Sequence, residues 1–233
     1  MQGDVMNKTE LLSQVSIFKG LTQEALAVLS SCLKPLHFAR DVRIVGRDDQ
    51  GDALYIIENG RVKVTLENSS GREVILSIFR AGDFFGEMSL LDGQPRSASV
   101  IAIEESDVLM LSREDFAKHL AECPETALNV LAEMSRRLRR ADEVISNLAL
   151  LDVYGRVAHT LLDLGRREGR NTDEGVLIRE RPTQQDLAAM MGTSRETVSR
   201  ILSELQRRGL VSMQGKSILL SHGFVEQQSI DQT

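Results

Sequence analysis

The segment from residue 183 to residue 202 carries the side chains whose types and spacing point most clearly to a chemical task. Thr183 and Ser194 are N-cap residue types at the expected starts of two helices, and Gly192 between them suits a tight turn with a positive φ. Asp186 stands three residues after Thr183, where a carboxylate reaches back to the cap amide. Two short helices joined in this way predict a helix-turn-helix, whose second helix enters the major groove of DNA. An ordinary helical hairpin with a solvated polar face is the alternative.

The outward side chains of the second helix suit contacts with base edges. Arg195 and Arg200 can each donate two hydrogen bonds to guanine O6 and N7, and Glu196 can accept one from the cytosine N4 amine. Neighbouring hydroxyl and amide groups suit the phosphate backbone. Residues 210–221 alternate like a hairpin that turns at Gly215, which is the wing of a winged variant. The predicted DNA-binding residues are Thr183, Gln184, Gln185, Ser194, Arg195, Glu196, Thr197, Arg200 and Lys216.

A second cluster, in residues 82–100, combines groups that suit a phosphate and a sugar. Gly86 is expected to open a short helix whose free amides attract an anion. Glu87 offers a carboxylate to a ribose hydroxyl, while Arg96 and Ser97 return a guanidinium and a hydroxyl to the same anion. Together these groups describe a pocket for a cyclic nucleotide. Taken alone, a Gly-Glu pair followed by an arginine is also explained by a solvated ion pair.

The elements that must position the two clusters differ in their hydrophobic patterns. Residues 8–34 have apolar side chains at helical spacings, and Pro35 ends that pattern. Residues 36–112 form short β-type runs separated by glycines, with one hairpin turning at Gly71, which is typical of an antiparallel sandwich or barrel. Helical patterns return further on, at residues 183–191 and 194–207 among others. A polar loop is expected around Gly169 and Gly175, and residues after 222 are expected to fray.

Residues 124–151 predict one long helix, because neither glycine nor proline follows Pro124 in this range. Its apolar residues fall at a and d positions over almost three heptads, which favours a parallel two-chain coiled coil and therefore a homodimer. The alternative is an amphipathic helix packed on its own sheet. The apolar positions are Leu131, Met134, Leu138, Ala141, Ile145 and Leu148.

Composition and charge limit the remaining possibilities. The chain has 233 residues and a net charge of −6, but from residue 153 onward 11 basic residues face 10 acidic ones, against 17 and 24 in the first 152. This asymmetry predicts two parts with different tasks. Cys32 and Cys123 are too few for a disulfide framework or a cysteine-ligated cluster, and no catalytic pair or metal-ligand spacing appears, so neither an enzyme nor a metal is expected. With no long apolar run and no secretion signal, a cytoplasmic location without a membrane is expected.

Both clusters resemble one known family. Residues 84–100 are similar to the phosphate-binding cassette of cyclic-nucleotide-binding domains, while NLALLDVYGRVAHTLLDL and TSRETVSRIL resemble the cyclic AMP receptor protein/FNR family of bacterial transcription regulators, in its cyclic-AMP-receptor-like branch. The resemblance implies an α+β fold in three parts: an N-terminal double-stranded β-helix (β-roll or jelly roll) cyclic-nucleotide-binding-like domain in 1–123, a long dimerisation helix and hinge in 124–152, and a C-terminal winged helix-turn-helix in 153–233.

The resemblance also implies roles for individual residues. Arg195, Glu196 and Arg200 match the recognition-helix residues that contact TGTGA-type half-sites, and Asp152 matches the hinge residue. Double-stranded DNA, a second copy of the chain and RNA polymerase are the implied partners. The implied ligand-binding residues are Gly86, Glu87, Met88, Ser89, Arg96, Ser97, Arg137, Ala141 and Asp142.

One pair departs from the family pattern. Where cyclic AMP receptors have a Thr-Ser pair that contacts adenine across the dimer, this chain has Ala141 and Asp142. The Asp142 carboxylate can accept from the adenine amine or from guanine N1–H and N2–H, so cyclic AMP is expected first, with cyclic GMP and cyclic di-GMP open. Asp142 pairing with a local arginine is the alternative. Also open are a regulator that needs no effector and haem sensing, whereas a cyclic-nucleotide-responsive enzyme domain is disfavoured because no residues remain to host the chemistry.

Overall fold

The computed structural model describes residues 8–230, and side chains as far as residue 226. The chain forms two compact units, Met1–Arg140 and Ala141–Thr233. In the first unit, a helical start leads into a set of antiparallel strands and then into further helices. Its elements are α1 (Lys8–Gln14), a 3-10 turn (Ser16–Phe18), α2 (Gln23–Cys32), β1 (Lys34–Phe38), β2 (Arg43–Val45), β3 (Ala53–Asn59), β4 (Arg61–Glu67), β5 (Glu73–Arg80), β6 (Phe84–Phe85), α3 (Glu87–Asp92), β7 (Ser99–Ala102), β8 (Ser106–Ser112), α4 (Arg113–Glu122) and the start of α5 (Pro124–Leu150).

Two four-stranded antiparallel sheets form the body of the first unit, in the orders β1-β8-β3-β6 and β2-β7-β4-β5. The β4–β5 hairpin turns where expected, with Gly71 at φ +77° and Asn68 accepting hydrogen bonds from the amides of Ser70 and Arg72. One apolar cluster lies between the sheets, around Ile57 and Val62, and another joins the helices to the sheet of β3 and β8. The expected β-roll in an α+β fold is confirmed.

Some expectations for the first unit were wrong in detail. The β-type pattern of residues 97–112 is unbroken by glycine and so predicts one strand, but residues 103–105 divide it into β7 and β8, which lie in different sheets. Pro35 does more than end the helices, since it lies within β1 at the edge of its sheet, where a missing N–H is tolerated. The short β6 and the amphipathic α4 were not predicted.

The second unit contains α6 and two further helices around a small sheet, with a helix after it. Its elements are the end of α5, α6 (Val153–Glu168), β9 (Arg170–Thr172), β10 (Gly175–Ile178), α7 (Gln184–Met191), α8 (Arg195–Arg207), β11 (Val211–Gln214), β12 (Ser217–Ser221) and α9 (His222–Ile230). The strand order is β11-β12-β10-β9, so the predicted wing is one half of a four-stranded antiparallel sheet.

Two expectations for the second unit are corrected. The supposed polar loop is the β9–β10 hairpin, and Gly175 is required there because a Cβ would lie 2.0 Å from the carbonyl oxygen of Leu220. The residues after 222 do not fray at once: α9 places Phe224 in the core at 1% exposure. Phe224, with the partly buried Val225 beside it, docks a segment whose composition is otherwise polar.

The helix α5 begins and ends within one residue of its predicted bounds. Thr126 and Val130 near its start are buried, whereas most of the predicted a and d positions are exposed. Packing on its own sheet therefore describes only the first half of α5, as far as Arg137. The large apolar side chains along α5 that the chain itself leaves uncovered are Leu128, Leu131, Leu138, Val144, Ile145, Leu148 and Leu150. Within residues 8–230, no helix has the length and apolar character that a membrane span requires.

Candidate ligand pocket and nucleic-acid interface

The ligand pocket of the first unit is built around the turn from β6 into α3. Gly86 occupies this turn at φ +89°, and a Cβ there would lie 2.5 Å from Nη1 of Arg96 and 2.9 Å from the carbonyl oxygen of Ala53. Only glycine fits both the conformation and the space. The turn directs the next residue, Glu87, into the protein, where its side chain is 2% exposed.

Arg96 lies beside this turn and is 4% exposed. Its Nη1 donates to the carbonyl of Gly86 at 2.7 Å, its Nη2 donates to that of Ala53 at 2.8 Å, and its guanidinium stands 5.7 Å from the ring centre of Tyr55. Arg96 precedes the first residue of β7 by three residues. Its Nε is buried and has no hydrogen-bond partner among the described residues. A buried cation with a free donor is suited to an anion.

Glu87 faces the same space. Its Oε1 accepts from Nη1 of Arg137 at 3.0 Å, while its Oε2 is buried and accepts from none of the described groups. Burial raises the pKa of the Glu87 carboxyl, and the positive charges of Arg137 and Arg96 oppose that rise. The free oxygen offers an acceptor to a hydroxyl group of a ligand.

Arg137, from α5, fixes the orientation of Glu87. Its guanidinium lies between the rings of Phe84 and Phe79, with 4.5 Å and 5.0 Å to their centres, and donates to the carbonyl of Phe84 at 2.9 Å. Nε of Arg137 also reaches Glu133 at 3.4 Å. Burial alone would raise the pKa of Glu133, but hydrogen bonds and charge from Arg136 and Arg137 lower it overall.

The other predicted ligand-binding residues divide into two groups. Ser89 is buried in α3, whereas Met88 and Ser97 are exposed and contact each other, with 3.7 Å from Oγ to Sδ. Ala141 and Asp142 are exposed residues of α5 within the second compact unit, so their part in the pocket stays a prediction. Among residues 8–230, no group of three His, Cys, Asp or Glu side chains is placed to hold a metal.

The nucleic-acid interface of the second unit has the local chemistry that the sequence predicts. Thr183 and Asp186 form a reciprocal capping box at the start of α7, with N–O distances of 3.1 Å and 3.3 Å. Gly192 ends α7 at φ +65°, and Ser194 caps α8 by accepting from the amide of Thr197 at 3.2 Å. The two helices also contact each other, since their inner side chains share one core: Leu187, Met191, Val198, Ile201 and Leu205.

The outer face of α8 is open to solvent. Arg195, Glu196 and Arg200 are exposed, and the backbone and Ser194 hydrogen bonds at the helix start lower the pKa of Glu196. They line a groove of about 470 Å³. Sequence reasoning missed the hydroxyl groups of Ser199 and Ser203 in this groove, which lie four residues after Arg195 and three residues after Arg200. The lining residues are Gln184, Arg195, Glu196, Ser199, Arg200 and Ser203.

A second groove, of about 430 Å³, separates the start of α7 from the wing turn. The wing turns at Gly215, with φ +59°, and Lys216 is exposed beside it. Arg181 is the basic residue that sequence reasoning missed here: its amide donates to the carbonyl of Lys216 at 3.0 Å, and its Nε is buried without a partner in the described part of the chain. The lining residues are Arg181, Thr183, Gln184, Gln185, Arg195, Gly215 and Lys216.

Comparison with known families and proteins covers both units. Residues 35–123 match the family model of the cyclic nucleotide-binding domain, and residues 155–222 match that of the Crp-like helix-turn-helix domain. The CRP-like cAMP-activated global transcriptional regulator of Mycobacterium tuberculosis is 36% identical over 212 residues, or 91% of this chain and 95% of that protein. The cAMP-activated global transcriptional regulator CRP of Escherichia coli is 37% identical over 179 residues, or 76% and 84%.

Solved structures agree with these matches. The catabolite activator protein of Thermus thermophilus is 34% identical with a TM-score of 0.54, and the match covers 94% of this chain and 100% of that one. The c-di-GMP responsive global regulator CLP of Xanthomonas campestris is 26% identical with a TM-score of 0.74, covering 86% and 99%. Both likenesses extend across the ligand pocket and the nucleic-acid interface described above.

Proposed function

Because the chain belongs to the cyclic AMP receptor protein/FNR family of bacterial transcription regulators, we propose that it is a homodimer in which a cyclic nucleotide controls binding to a palindromic DNA site. The family is one of DNA-binding regulators and not of enzymes. In this proposal residues 1–123 hold the ligand, residues 124–152 form the dimerisation helix and hinge, and residues 153–233 bind DNA in the cytoplasm and meet RNA polymerase there.

One observation carries the ligand assignment: the pocket contains a buried donor and a buried acceptor that the described residues leave unpaired. Nε of Arg96 suits a phosphate oxygen, and Oε2 of Glu87 suits a ribose hydroxyl. A cyclic nucleotide presents both groups next to each other. Gly86 leaves room for the guanidinium of Arg96 at this turn, with Ser97 nearby and Met88 and Ser89 in the adjoining helix.

Cyclic AMP is the first choice of ligand. Two relatives above 35% identity are named as cAMP-activated, whereas the regulator named as c-di-GMP responsive is a more distant likeness at 26%. Asp142 replaces a hydroxyl residue of the cyclic AMP receptors, with Ala141 before it, and we assign Asp142 to the base across the dimer. A carboxylate there accepts from an adenine amine or from the paired N–H groups of guanine, so cyclic GMP and cyclic di-GMP are the competitors to test.

Dimerisation rests on the uncovered apolar face of α5. Leu131, Leu138 and Ile145 are each more than 60% exposed in the single chain, at the spacing of a coiled-coil seam. An apolar row of this length is unusual on a monomer and marks an interaction surface. A second α5 supplies the complementary row, which gives two DNA-binding units with the two-fold symmetry of a palindrome.

For DNA, we assign base contacts to Arg195, Glu196 and Arg200 and expect TGTGA-type half-sites. The remaining predicted residues suit the phosphates: Thr183, Gln184, Gln185, Ser194, Thr197 and Lys216 border α8 or the groove beside the wing. Ligand acts by shifting a population between two arrangements of the dimer. Its phosphate satisfies Arg96, its base tightens the seam near Asp142, and the hinge at 148–153 then becomes ordered.

The hinge has a physical connection to the DNA-binding helices within the second unit. Asp152 caps α6 by accepting from the amide of Gly155 at 2.7 Å. Arg156 donates to the carbonyl of Leu151 at 2.9 Å and to that of Met191, the last residue of α7, at 3.2 Å. A change at the hinge therefore has a direct polar path to the turn that precedes α8.

Isothermal titration calorimetry with cyclic AMP, cyclic GMP and cyclic di-GMP, followed by DNA-binding assays with and without the ligand that binds, tests this function. We expect cyclic AMP to bind and to increase affinity for a TGTGA palindrome. If no nucleotide binds below about 100 μM, a weak affinity near 5–6 kcal/mol, and the free protein already binds the palindrome, the first unit is only a dimerisation scaffold.

A further inference from the structure

A second arginine, Arg113, contacts the C-terminal end of α3, the helix of the ligand pocket. It is the first residue of α4, which Ser112 caps by accepting from the amide of Asp115 at 3.1 Å. Its guanidinium donates to the carbonyls of Ser89 at 2.8 Å and Leu90 at 3.1 Å. These carbonyls lie in the last turn of α3, where that of Ser89 also accepts from the amide of Gly93 at 3.1 Å. Arg113 therefore adds hydrogen bonds to two carbonyls at the C-terminal end of α3.

Both arginines are anchored on one short segment, residues 51–53, just before and at the start of β3. The carbonyl of Gly51 accepts from Nη2 of Arg113 at 2.6 Å, and that of Asp52 accepts from the backbone amide of Arg113 at 2.7 Å. The third carbonyl, of Ala53, accepts from Nη2 of Arg96 at 2.8 Å. Three successive carbonyls are thus occupied by the two arginines.

The two arginines also hold opposite ends of α3. Arg96 bonds the carbonyl of Gly86, which precedes the first residue of the helix, and Arg113 bonds the carbonyls of its last turn. Residues 51–53 are closely packed against α3, because a Cβ on Gly51 would lie 2.2 Å from Cβ of Ser89 and 3.3 Å from Cζ of Arg96. The distance between Arg96 and Glu87, the first residue of α3, therefore depends on how both ends are held.

We propose that Arg113 is a positioning residue of the nucleotide pocket. It fixes the C-terminal end of α3, and so keeps the carboxylate of Glu87 and the guanidinium of Arg96 at the separation that one cyclic nucleotide spans. Arg113 touches no ligand itself. This inference rests on the proposed cyclic nucleotide binding and adds a residue to its machinery.

The test uses the full-length protein and compares Arg113→Ala, Arg113→Lys and Lys118→Ala. Lys118 is exposed on the same helix and carries the same charge, so its loss controls for net charge. Calorimetry with cyclic AMP should show at least about a tenfold loss of affinity for Arg113→Ala, since several charge-assisted hydrogen bonds disappear. We expect a smaller loss of affinity for Arg113→Lys, because one ammonium group cannot reach the carbonyls of Gly51, Ser89 and Leu90 together. We expect no loss for Lys118→Ala.

Two further measurements distinguish a positioning role of Arg113 from a general contribution to the stability of the fold. Hydrogen exchange of the ligand-free protein should become faster in the amides of α3 for Arg113→Ala. Val130→Ala, which removes buried methyl groups from the core of the same unit, should lower the melting temperature and leave affinity unchanged. If the wild type binds no cyclic nucleotide, the proposed function is wrong. If the wild type binds and Arg113→Ala has the same affinity, or if Arg113→Ala and Val130→Ala lose the same amount of affinity, only the positioning role of Arg113 is wrong.

Discussion

Single atoms decide what the ligand pocket can bind. Glu87 and Arg96 were predictable because residues 84–100 resemble a phosphate-binding cassette, whereas a Gly-Glu pair followed by an arginine is by itself also explained by a solvated ion pair. Arg113 was not predictable, because its partners are carbonyl groups, which every residue has. Two of them, on Ser89 and Gly51, lie 24 and 62 residues away along the chain. A contact of this kind becomes visible only when the fold brings the segments together.

Nucleotide affinity should depend on pH through Glu87. Burial raises the pKa of this carboxyl, so it takes up a proton at a higher pH than the ordinary value of 4.5. The ionised carboxylate is the stronger acceptor for a ribose hydroxyl, so affinity for cyclic AMP should fall as the pH is lowered through the Glu87 pKa. The folding stability of the free protein should depend on pH in the opposite direction. It is highest while Glu87 is protonated and falls as the pH rises through the Glu87 pKa, because the ionised carboxylate is buried.

Calorimetric titrations at a series of pH values measure this dependence. Glu87→Gln keeps an oxygen acceptor and cannot titrate, so its weaker binding should be independent of pH over the same range. The pKa of the neighbouring Glu133 is lowered whereas that of Glu87 is raised, so Glu87 is the carboxyl expected to take up a proton first as the pH falls. Parallel profiles for wild type and Glu87→Gln would assign the dependence to another group.

At the DNA interface, Arg195 and Lys216 should give opposite mutational patterns. Arg195→Ala should cost about 1–3 kcal/mol on the preferred site and relax specificity at one base pair. Lys216→Ala should weaken binding to all sequences alike and lower the salt slope by about one. Fluorescence anisotropy with single-base half-site variants at several salt concentrations measures both. A loss for Arg195→Ala that is uniform across sequences would remove it from the base-contacting set.

Elements were predictable where local chemistry defines them. The caps at Thr183 and Ser194 and the turn at Gly192 fix α7 and α8 from neighbouring residues alone. The β9–β10 hairpin and α9 were missed because their formation depends on distant partners: β10 pairs with β12, and α9 docks through Phe224. Short elements of this kind carry too few apolar residues to show a period.

Phe224→Ala should destabilise the second unit by about 3–5 kcal/mol, because it removes a fully buried aromatic ring from the core shared with α6 and β12. The chain has two units, so scanning calorimetry, which resolves separate transitions, is the suitable measurement. Only one transition should move. Glu226→Ala, at an exposed position of the same helix, is the control and should leave both transitions in place. An unchanged transition for Phe224→Ala would mean that α9 does not support the unit.

At the scale of the whole molecule, α5 is the element on which assembly depends. Replacing Leu138 and Ile145 by lysine should separate the dimer, since two charges on each helix would face each other in the seam. Analytical ultracentrifugation should show a shift from dimer to monomer, with specific DNA affinity lost as well. Val28→Lys changes an equally exposed apolar residue on α2 and should remain dimeric. A double variant that stays dimeric would place the interface elsewhere.

The local caps and shared core of α7 and α8 have a consequence for the unliganded state. The caps and the core that form these helices involve no nucleotide, so the ligand-free protein already exposes the basic side chains of α8. The ligand-free protein should therefore bind DNA of any sequence weakly, with an affinity that falls steeply as the ionic strength rises. Ligand-free molecules would then be bound along the chromosome, and after a rise in ligand concentration they would reach their specific sites by sliding along DNA instead of by diffusion from free solution.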